Sequence, residues 1–208
     1  MKLYHGTSNH NLNKILKAGF ITPRNNKGNW RETVMSNDKM VYLTNSYACY
    51  FAFNTAKGLA SDDPNWKAED FDDSKAVVLE LDVSIKNLYP DEDYLEQSTR
   101  DADKHDDLDM IVRTKEFRGQ YKNYKDKWKD SLNGLGTVCH EGAIPITKIT
   151  RIAVLKESVF LNSQPTITLK NQKYLGEQYH HECKNLIWTD QYADQIIKSK
   201  KIKRSLCL

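Results

Sequence analysis

The sequence predicts a mixed α+β domain, and three observations carry that prediction. A short extended segment at residues 3–8 leads through a polar turn into one compact amphipathic helix. A β-rich run at residues 75–83 shows partial alternation of apolar and polar residues. A 208-residue chain that is 39% hydrophobic, with 11 tyrosines and 4 tryptophans, has enough apolar material for one core. No internal repeat or low-complexity linker divides it. We therefore expect a single domain over residues 1–208, with a core to about residue 157 and a helical, basic extension over about 158–208.

In the first helix, Leu12, Ile15 and Leu16 share one face at i, i+3, i+4 spacing, and Gly19 stands where a left-handed residue ends a helix. The chemistry lies in the step before it, His5-Gly6-Thr7-Ser8. An imidazole offers two distinct ring nitrogens, and a glycine lets backbone N–H and C=O approach a planar ligand closely. Further on, Asp62, Asp63, Glu69, Asp70, Asp72 and Asp73, with Pro64 among them, form an acidic stretch expected to be a solvated loop. The strand at 75–83 follows. Residues 89–95, Tyr-Pro-Asp-Glu-Asp-Tyr-Leu, read as a turn feeding a helix, and the chain is polar and acidic again between Arg100 and Asp109.

The charge then reverses. Arg113, Lys115, Arg118, Lys122, Lys125, Lys127 and Lys129 face only Glu116 and Asp126. Phe117, Tyr121, Tyr124 and Trp128 fall at i, i+4, i+7 and i+11, which on one helix is a continuous aromatic stripe flanked by lysines. Such a stripe packs on a core, with its lysines in water. It also suits an acceptor-binding surface, with Lys122, Lys125 and Lys129 on phosphates and Trp128 stacking on bases. The two readings are compatible. Near the end, residues 166–169 suggest a strand, and 173–188 and 191–198 suggest helices. Lys198, Lys200, Lys201, Lys203 and Arg204 make a basic tail, either solvated or in contact with a nucleic acid or a partner.

The net charge of +3 names no partner by itself. No run approaches the roughly 20 apolar residues of a membrane span, so no membrane partner is expected. No basic-plus-apolar leader is present, and Cys49, Cys139, Cys183 and Cys207 lack metal-ligand spacing, which suits free thiols in a reducing cytoplasm. His180-His181-Glu182-Cys183 lacks the second, well-spaced pair that completes most metal sites, so no metal is expected.

Three blocks carry a family resemblance. The first is Leu3-Tyr4-His5-Gly6-Thr7-Ser8, with Asn11 six residues after the His, then Ile15-Leu16 and Gly19-Phe20. The second is Val41-Tyr42-Leu43-Thr44-Asn45-Ser46-Tyr47-Ala48-Cys49-Tyr50-Phe51-Ala52, similar to a strand bearing a Tyr followed by a helix with an Ala-x-Tyr/Phe pattern. The third is Gly142-Ala143-Ile144-Pro145 with Ile149, Ile152 and Val154. In this order and spacing they resemble the ADP-ribosyltransferase superfamily. That superfamily includes poly(ADP-ribose) polymerase catalytic domains, DNA-targeting toxins and RNA 2'-phosphotransferases. The likeness spans roughly residues 1–155.

The resemblance implies a split β-sandwich of mostly antiparallel strands with flanking helices, and NAD as co-substrate in the cleft between two sheets. It assigns His5 to a ribose hydroxyl and the Gly6 backbone to the nicotinamide carboxamide. Tyr42 would stack on the nicotinamide ring, Tyr50 or Phe51 would form a second wall, and Thr7 and Ser8 would add polar contacts. It also calls for a carboxylate near the ribose cation. Glu141, four residues before Pro145, is the candidate, although a stricter alignment to the DNA-targeting toxins puts Thr137 in that place. Strand alternation sets Thr137, Cys139 and Glu141 on one face and turns His140 away. The alternative for Glu141 is a surface carboxylate in the turn beside Gly142; Glu80 and Asp82 rank behind it.

Three functions follow. The first is a mono-ADP-ribosyltransferase of toxin or phage-effector type that modifies a cytoplasmic macromolecule, nucleic acid before protein, with or without a neutralising antitoxin. The second is an RNA 2'-phosphotransferase-like enzyme, faintly echoed between Arg31 and Thr44, although its N-terminal helical module and its arginine–histidine set are missing. The third is a catalytically silent fold of the same type serving as a binding module.

Overall fold

Strand β1 (Lys2–Ser8) hands the chain directly to helix α1 (Asn9–Ala18), and both helix ends are set by local chemistry. Ser8, in extended conformation, accepts the Asn11 N–H on its hydroxyl at 3.2 Å. Gly19, at φ 81°, turns the chain left-handed and returns its N–H to the Ile15 carbonyl at 2.9 Å. The computed structural model describes residues 1–23, 37–62, 75–99, 107–155 and 188–189. After α1 come β2 (Phe20–Ile21), β3 (Met40–Thr44), α2 (Ala48–Asp62), β4 (Ala76–Asp82), β5 (Leu88–Pro90), α3 (Glu92–Thr99) and α4 (Asp107–Gln120). A 3₁₀ run (Tyr121–Lys127) leads to α5 (Trp128–Gly134), followed by β6 (Thr137–Glu141), β7 (Ile144–Pro145), β8 (Ile149–Val154) and β9 (Trp188–Thr189).

The class is α+β. A seven-stranded sheet runs β5-β6-β3-β1-β4-β8-β9, and β2 pairs with β7 in a small second sheet. Every pairing among the described residues is antiparallel. One face of the large sheet carries the main core. Leu3, Val41, Leu43, Leu79, Leu81, Val138 and Ile152 meet Leu12 of α1 and Leu132 of α5 there, with Ile15, Leu16 and Trp128 packed at its margin.

The opposite face is covered in two separate pieces. On β1, β4 and β8, helix α2 packs Ala48, Cys49, Ala52 and Ala56 against Ala76, Val78 and Ala153. On β3, β5 and β6, Met40, Tyr89, Tyr121 and Cys139 form a second cluster with Tyr42 against it. The boundary between them is the β1–β3 seam. Strand β1 pairs with β4 from Lys2↔Asp82 to Ser8↔Ala76, but with β3 only at Tyr4↔Thr44. Strand β3 is instead laddered to β6 from Met40↔Glu141 to Thr44↔Thr137.

Three sequence expectations change. The aromatic stripe does not lie on one helix: α4 ends at Gln120, and the 3₁₀ run carries non-helical dihedrals at Tyr124 (φ −112°, ψ 18°). Tyr121 is drawn onto Tyr89, with ring centroids 5.0 Å apart, while Phe117 and Tyr124 pair with each other at 5.5 Å. Burying Tyr121 against β5 takes the place of helical continuity. Next, residues 88–90 form edge strand β5, so the segment before α3 is more than a turn. Finally, Trp188 does not end a helix but sits in β9, paired with Ala153, so this part of the C-terminal extension joins the main sheet. The other elements expected beyond residue 157, most of the acidic stretch after Asp62, and the basic tail lie outside the described residues.

Candidate active site

The seam is where the first two sequence blocks meet. Backbone groups of alternate residues in a strand point to opposite neighbours. At the two ends of β1, the Met1 carbonyl accepts the Val83 N–H at 3.0 Å, and the Asn9 N–H donates to the Lys75 carbonyl at 2.9 Å. Odd-numbered residues of β1 therefore face β4, and Tyr4 and Gly6 face β3. A continued β1–β3 ladder would set Gly6 opposite Tyr42, since Tyr4 pairs with Thr44. It does not continue. Instead His5 Nδ1–H donates to the Tyr42 carbonyl at 3.0 Å. This bond places the proton of the neutral ring on Nδ1 and a lone pair on Nε2. Gly6, half-buried, then turns its N–H and C=O into the seam beside that bond.

Gly6 has a second duty on the sheet face. A Cβ there would stand 2.4 Å from the Ala48 carbonyl oxygen, 2.5 Å from the Ala52 nitrogen and 2.9 Å from the Phe51 carbonyl carbon. The missing side chain lets the α2 backbone cross β1 in contact, with the Phe51 backbone against the glycine and Tyr50 next to it in the chain. Their rings are edge-to-face, with centroids 5.4 Å apart. Burial pushes the Tyr50 phenol above its ordinary pKa, partly offset by a hydrogen bond with Asn54. Thr7 is buried, and Ser8 is buried with its hydroxyl used in the α1 cap.

Tyr42 is held at its far end. Its hydroxyl donates to Glu92 Oε1 in a short contact and accepts the Asn37 N–H at 2.9 Å. Burial first, and then the charge of Glu92, push its phenol well above the ordinary range, so it stays a neutral donor. Glu92 Oε2 accepts from the Cys139 thiol at 3.8 Å, and Arg118 Nε stands 3.9 Å from Oε1. Burial, followed by Glu92, keeps that thiol protonated. Asp91 caps α3, accepting the Asp93 N–H at 3.1 Å. Asp91, Glu92 and Cys139 bring ligand-type atoms within 4.8 Å of one another. Each is already engaged in this network.

Glu141 ends β6 on the same sheet face, two residues, or about 7 Å, along from Cys139, the cross-strand partner of Tyr42. It is not a free turn carboxylate. Tyr121 Oη donates to Oε1 at 2.6 Å, Tyr89 Oη donates to Oε2 at 3.1 Å, and Lys122 Nζ lies 3.7 Å from Oε1. Donation from Tyr121 outweighs the opposing effect of burial and, with Tyr89 and Lys122, holds the Glu141 carboxyl below its usual range. Lys125 adds an outer layer, with Nζ 3.4 Å from Tyr89 Oη and 4.8 Å above the ring. Lys122, Lys125 and Lys129 are exposed, whereas Trp128 packs at the margin of the main core with Lys129 Nζ 5.6 Å over its ring.

The other candidates are committed elsewhere. His140 points away from Glu141: its Nδ1–H donates to the Gly142 carbonyl at 3.3 Å, and its Nε2 accepts from Asn87 Nδ2 at 3.5 Å. Asp82 binds the N-terminal ammonium at 3.0 Å. Glu80, 1% exposed, takes Thr150 Oγ1 at 2.6 Å, Arg151 Nε at 3.1 Å and Lys2 Nζ at 3.4 Å. Sequence reasoning missed Glu92, the Tyr89–Tyr121 clamp and Asn37. The acidic Pro-Asp-Glu-Asp run was visible, but nothing local tied it to Tyr42.

No family model, curated protein or solved structure matches the chain.

Proposed function

We propose that the chain is an NAD-dependent mono-ADP-ribosyltransferase with an ADP-ribosyltransferase-like split sandwich, its two halves parting at the β1–β3 seam. The observation that carries this reading is Gly6. It presents a donor and an acceptor on one residue, in a break of the ladder, which is the hydrogen-bonding complement of a primary carboxamide. The Gly6 N–H would donate to the nicotinamide carbonyl, and its C=O would accept from the amide NH₂. Tyr42 would form one wall of the ring slot and Phe51, backed by Tyr50, the other. His5, with its proton on Nδ1, would offer Nε2 to a ribose hydroxyl.

In the reaction the bond from ribose C1' to the nicotinamide nitrogen breaks, and its electron pair leaves with nicotinamide. Positive charge develops on the ribose. Glu141, ionised and clamped by two phenols, would stabilise that charge, and an anion already oriented needs little reorganisation during the step. The acceptor nucleophile then bonds to C1' and loses its proton. Exposed Lys122, beside Glu141, and Lys125, on Tyr89, favour a polyanionic acceptor, with exposed Lys129 further along the same segment, so nucleic acid is proposed ahead of protein. An effector or toxin role in the cytoplasm, with or without an antitoxin, belongs to the same proposal.

The test is ligand-dependent stability. NAD and free nicotinamide should each raise the melting temperature of the wild type in a concentration-dependent way. The rise with NAD should shrink in a His5→Ala variant, because free nicotinamide has no ribose for His5 to hold. No rise with either ligand, together with no release of nicotinamide from NAD, overturns the proposal.

A further inference from the structure

We propose that Glu92 is a positioning residue for the ring slot, acting through the hydroxyl of Tyr42. The inference rests on the reading of Tyr42 as a wall of that slot.

Tyr42 and Glu92 are 50 positions apart and come from different elements, the middle of β3 and the first turn of α3. A phenol ring on a strand is free to turn about its side-chain torsions unless packing or a polar tether stops it. Packing covers Tyr42 incompletely: the residue is half-buried, at the margin of the Met40, Tyr89, Tyr121 and Cys139 cluster. The tether is therefore decisive. The Tyr42 hydroxyl is gripped from two directions, by Glu92 Oε1 as acceptor and by the Asn37 N–H as donor at 2.9 Å. Asn37 is itself fixed, its Nδ2 donating to the Arg118 carbonyl at 3.3 Å.

Glu92 is in turn held with little freedom. It is 7% exposed, its second oxygen is engaged by Cys139, and Arg118 supplies a nearby counter-charge. A carboxylate in the first turn of a helix is also favoured by the helix dipole. The result is a rigid chain of contacts, α4 to α3 to the tip of Tyr42, that fixes the ring plane from behind. Removing the tether leaves the ring in place but lets it turn, so ligand binding weakens before chemistry does. That pattern separates positioning from a catalytic role.

A double-mutant cycle tests it, with Tyr42→Phe, Glu92→Ala and the double variant. Nicotinamide release is measured for KM and kcat, and urea unfolding for midpoint. Each single substitution should raise KM for NAD about five- to tenfold with kcat changed less than about threefold. The double variant should be no worse than the weaker single, because both remove the same tether. The urea midpoint shifts should likewise fail to add. Multiplying KM effects, a loss in kcat with unchanged KM, or additive midpoint shifts overturns the proposal. If the wild type releases no nicotinamide, the functional reading falls instead, and the urea cycle still decides whether Glu92 anchors Tyr42.

Discussion

The imidazole Nδ1 of His5 lies 3.0 Å from the carbonyl oxygen of Tyr42, and this side-chain bond stands where a backbone bond from Gly6 would continue the ladder. This contact and the Tyr4↔Thr44 pairing join the two halves of the sheet, and the N–H and C=O of Gly6 face the seam between them.

His5→Ala should therefore do two separable things. Losing the bond to the Tyr42 carbonyl should lower stability by about 1 kcal/mol, leaving a folded protein. Nicotinamide release should fall at least about tenfold, because the same ring is proposed to hold the ribose. Urea denaturation and a turnover assay on the same preparation check both. A folded variant with unchanged turnover would remove His5 from the site.

Gly6→Ala should be the more damaging change to the fold. The atoms facing the new methyl at 2.4 and 2.5 Å belong to the α2 backbone, which cannot swing aside as a side chain can. Overpacking of this kind costs about 1–3 kcal/mol, and the strain should appear as a lowered urea midpoint. An unchanged midpoint would mean that α2 slides freely over β1.

How much of this was legible in the sequence depends on the range of the interaction. The apolar face and the C-terminal end of helix α1 were legible, since Leu12, Ile15, Leu16 and Gly19 are local, but the expected polar turn is absent and Ser8 caps the helix directly after β1. Also legible was the shared face of Thr137, Cys139 and Glu141, which follows from strand alternation. The aromatic stripe was misread because the pull of Tyr89 on Tyr121 is a tertiary effect that overrides helical periodicity. The β1–β3 break, the Glu92 tether and strand β9 were not legible. Each depends on where a ladder ends or on partners tens of residues away. The second role of Gly6, admitting α2, was hidden because the sequence shows that a side chain is missing but not what fills its place.

Acid stability offers a test in the other half of the sheet, beyond the β1–β3 seam. Burial alone would raise the Glu80 carboxyl, but Arg151, Thr150 and Lys2 outweigh it and hold the pKa at about 2. A depressed folded-state pKa means that the stabilisation is complete above the unfolded value, near 4.5, and is lost as pH falls toward 2. Glu80→Gln should lower stability at pH 7 by on the order of 3 kcal/mol and flatten the acid limb in that window. Unfolding free energies measured from pH 2 to 7 check both. A variant with the wild-type acid slope would show that Glu80 does not set it.

The Glu141 clamp predicts a shifted pH profile. Because Tyr121 and its neighbours keep the carboxyl below its usual range, turnover should persist into acid until Glu141 protonates. Tyr121→Phe removes the largest of these contributions, so the acidic limb of the rate profile should move toward higher pH. Glu141→Gln should abolish turnover at every pH. A Tyr121→Phe profile that coincides with the wild type would separate the clamp from catalysis.

Incubation with NAD labelled in its adenylate half, together with nucleic acid or protein acceptors, follows the transferred group itself. An ADP-ribosyltransferase should release nicotinamide stoichiometrically and carry label onto the acceptor, nucleic acid foremost, and both should be lost in His5→Ala and Glu141→Gln. A wild-type protein that neither releases nicotinamide nor transfers label to any acceptor, and whose melting temperature ignores NAD, would contradict the proposed activity.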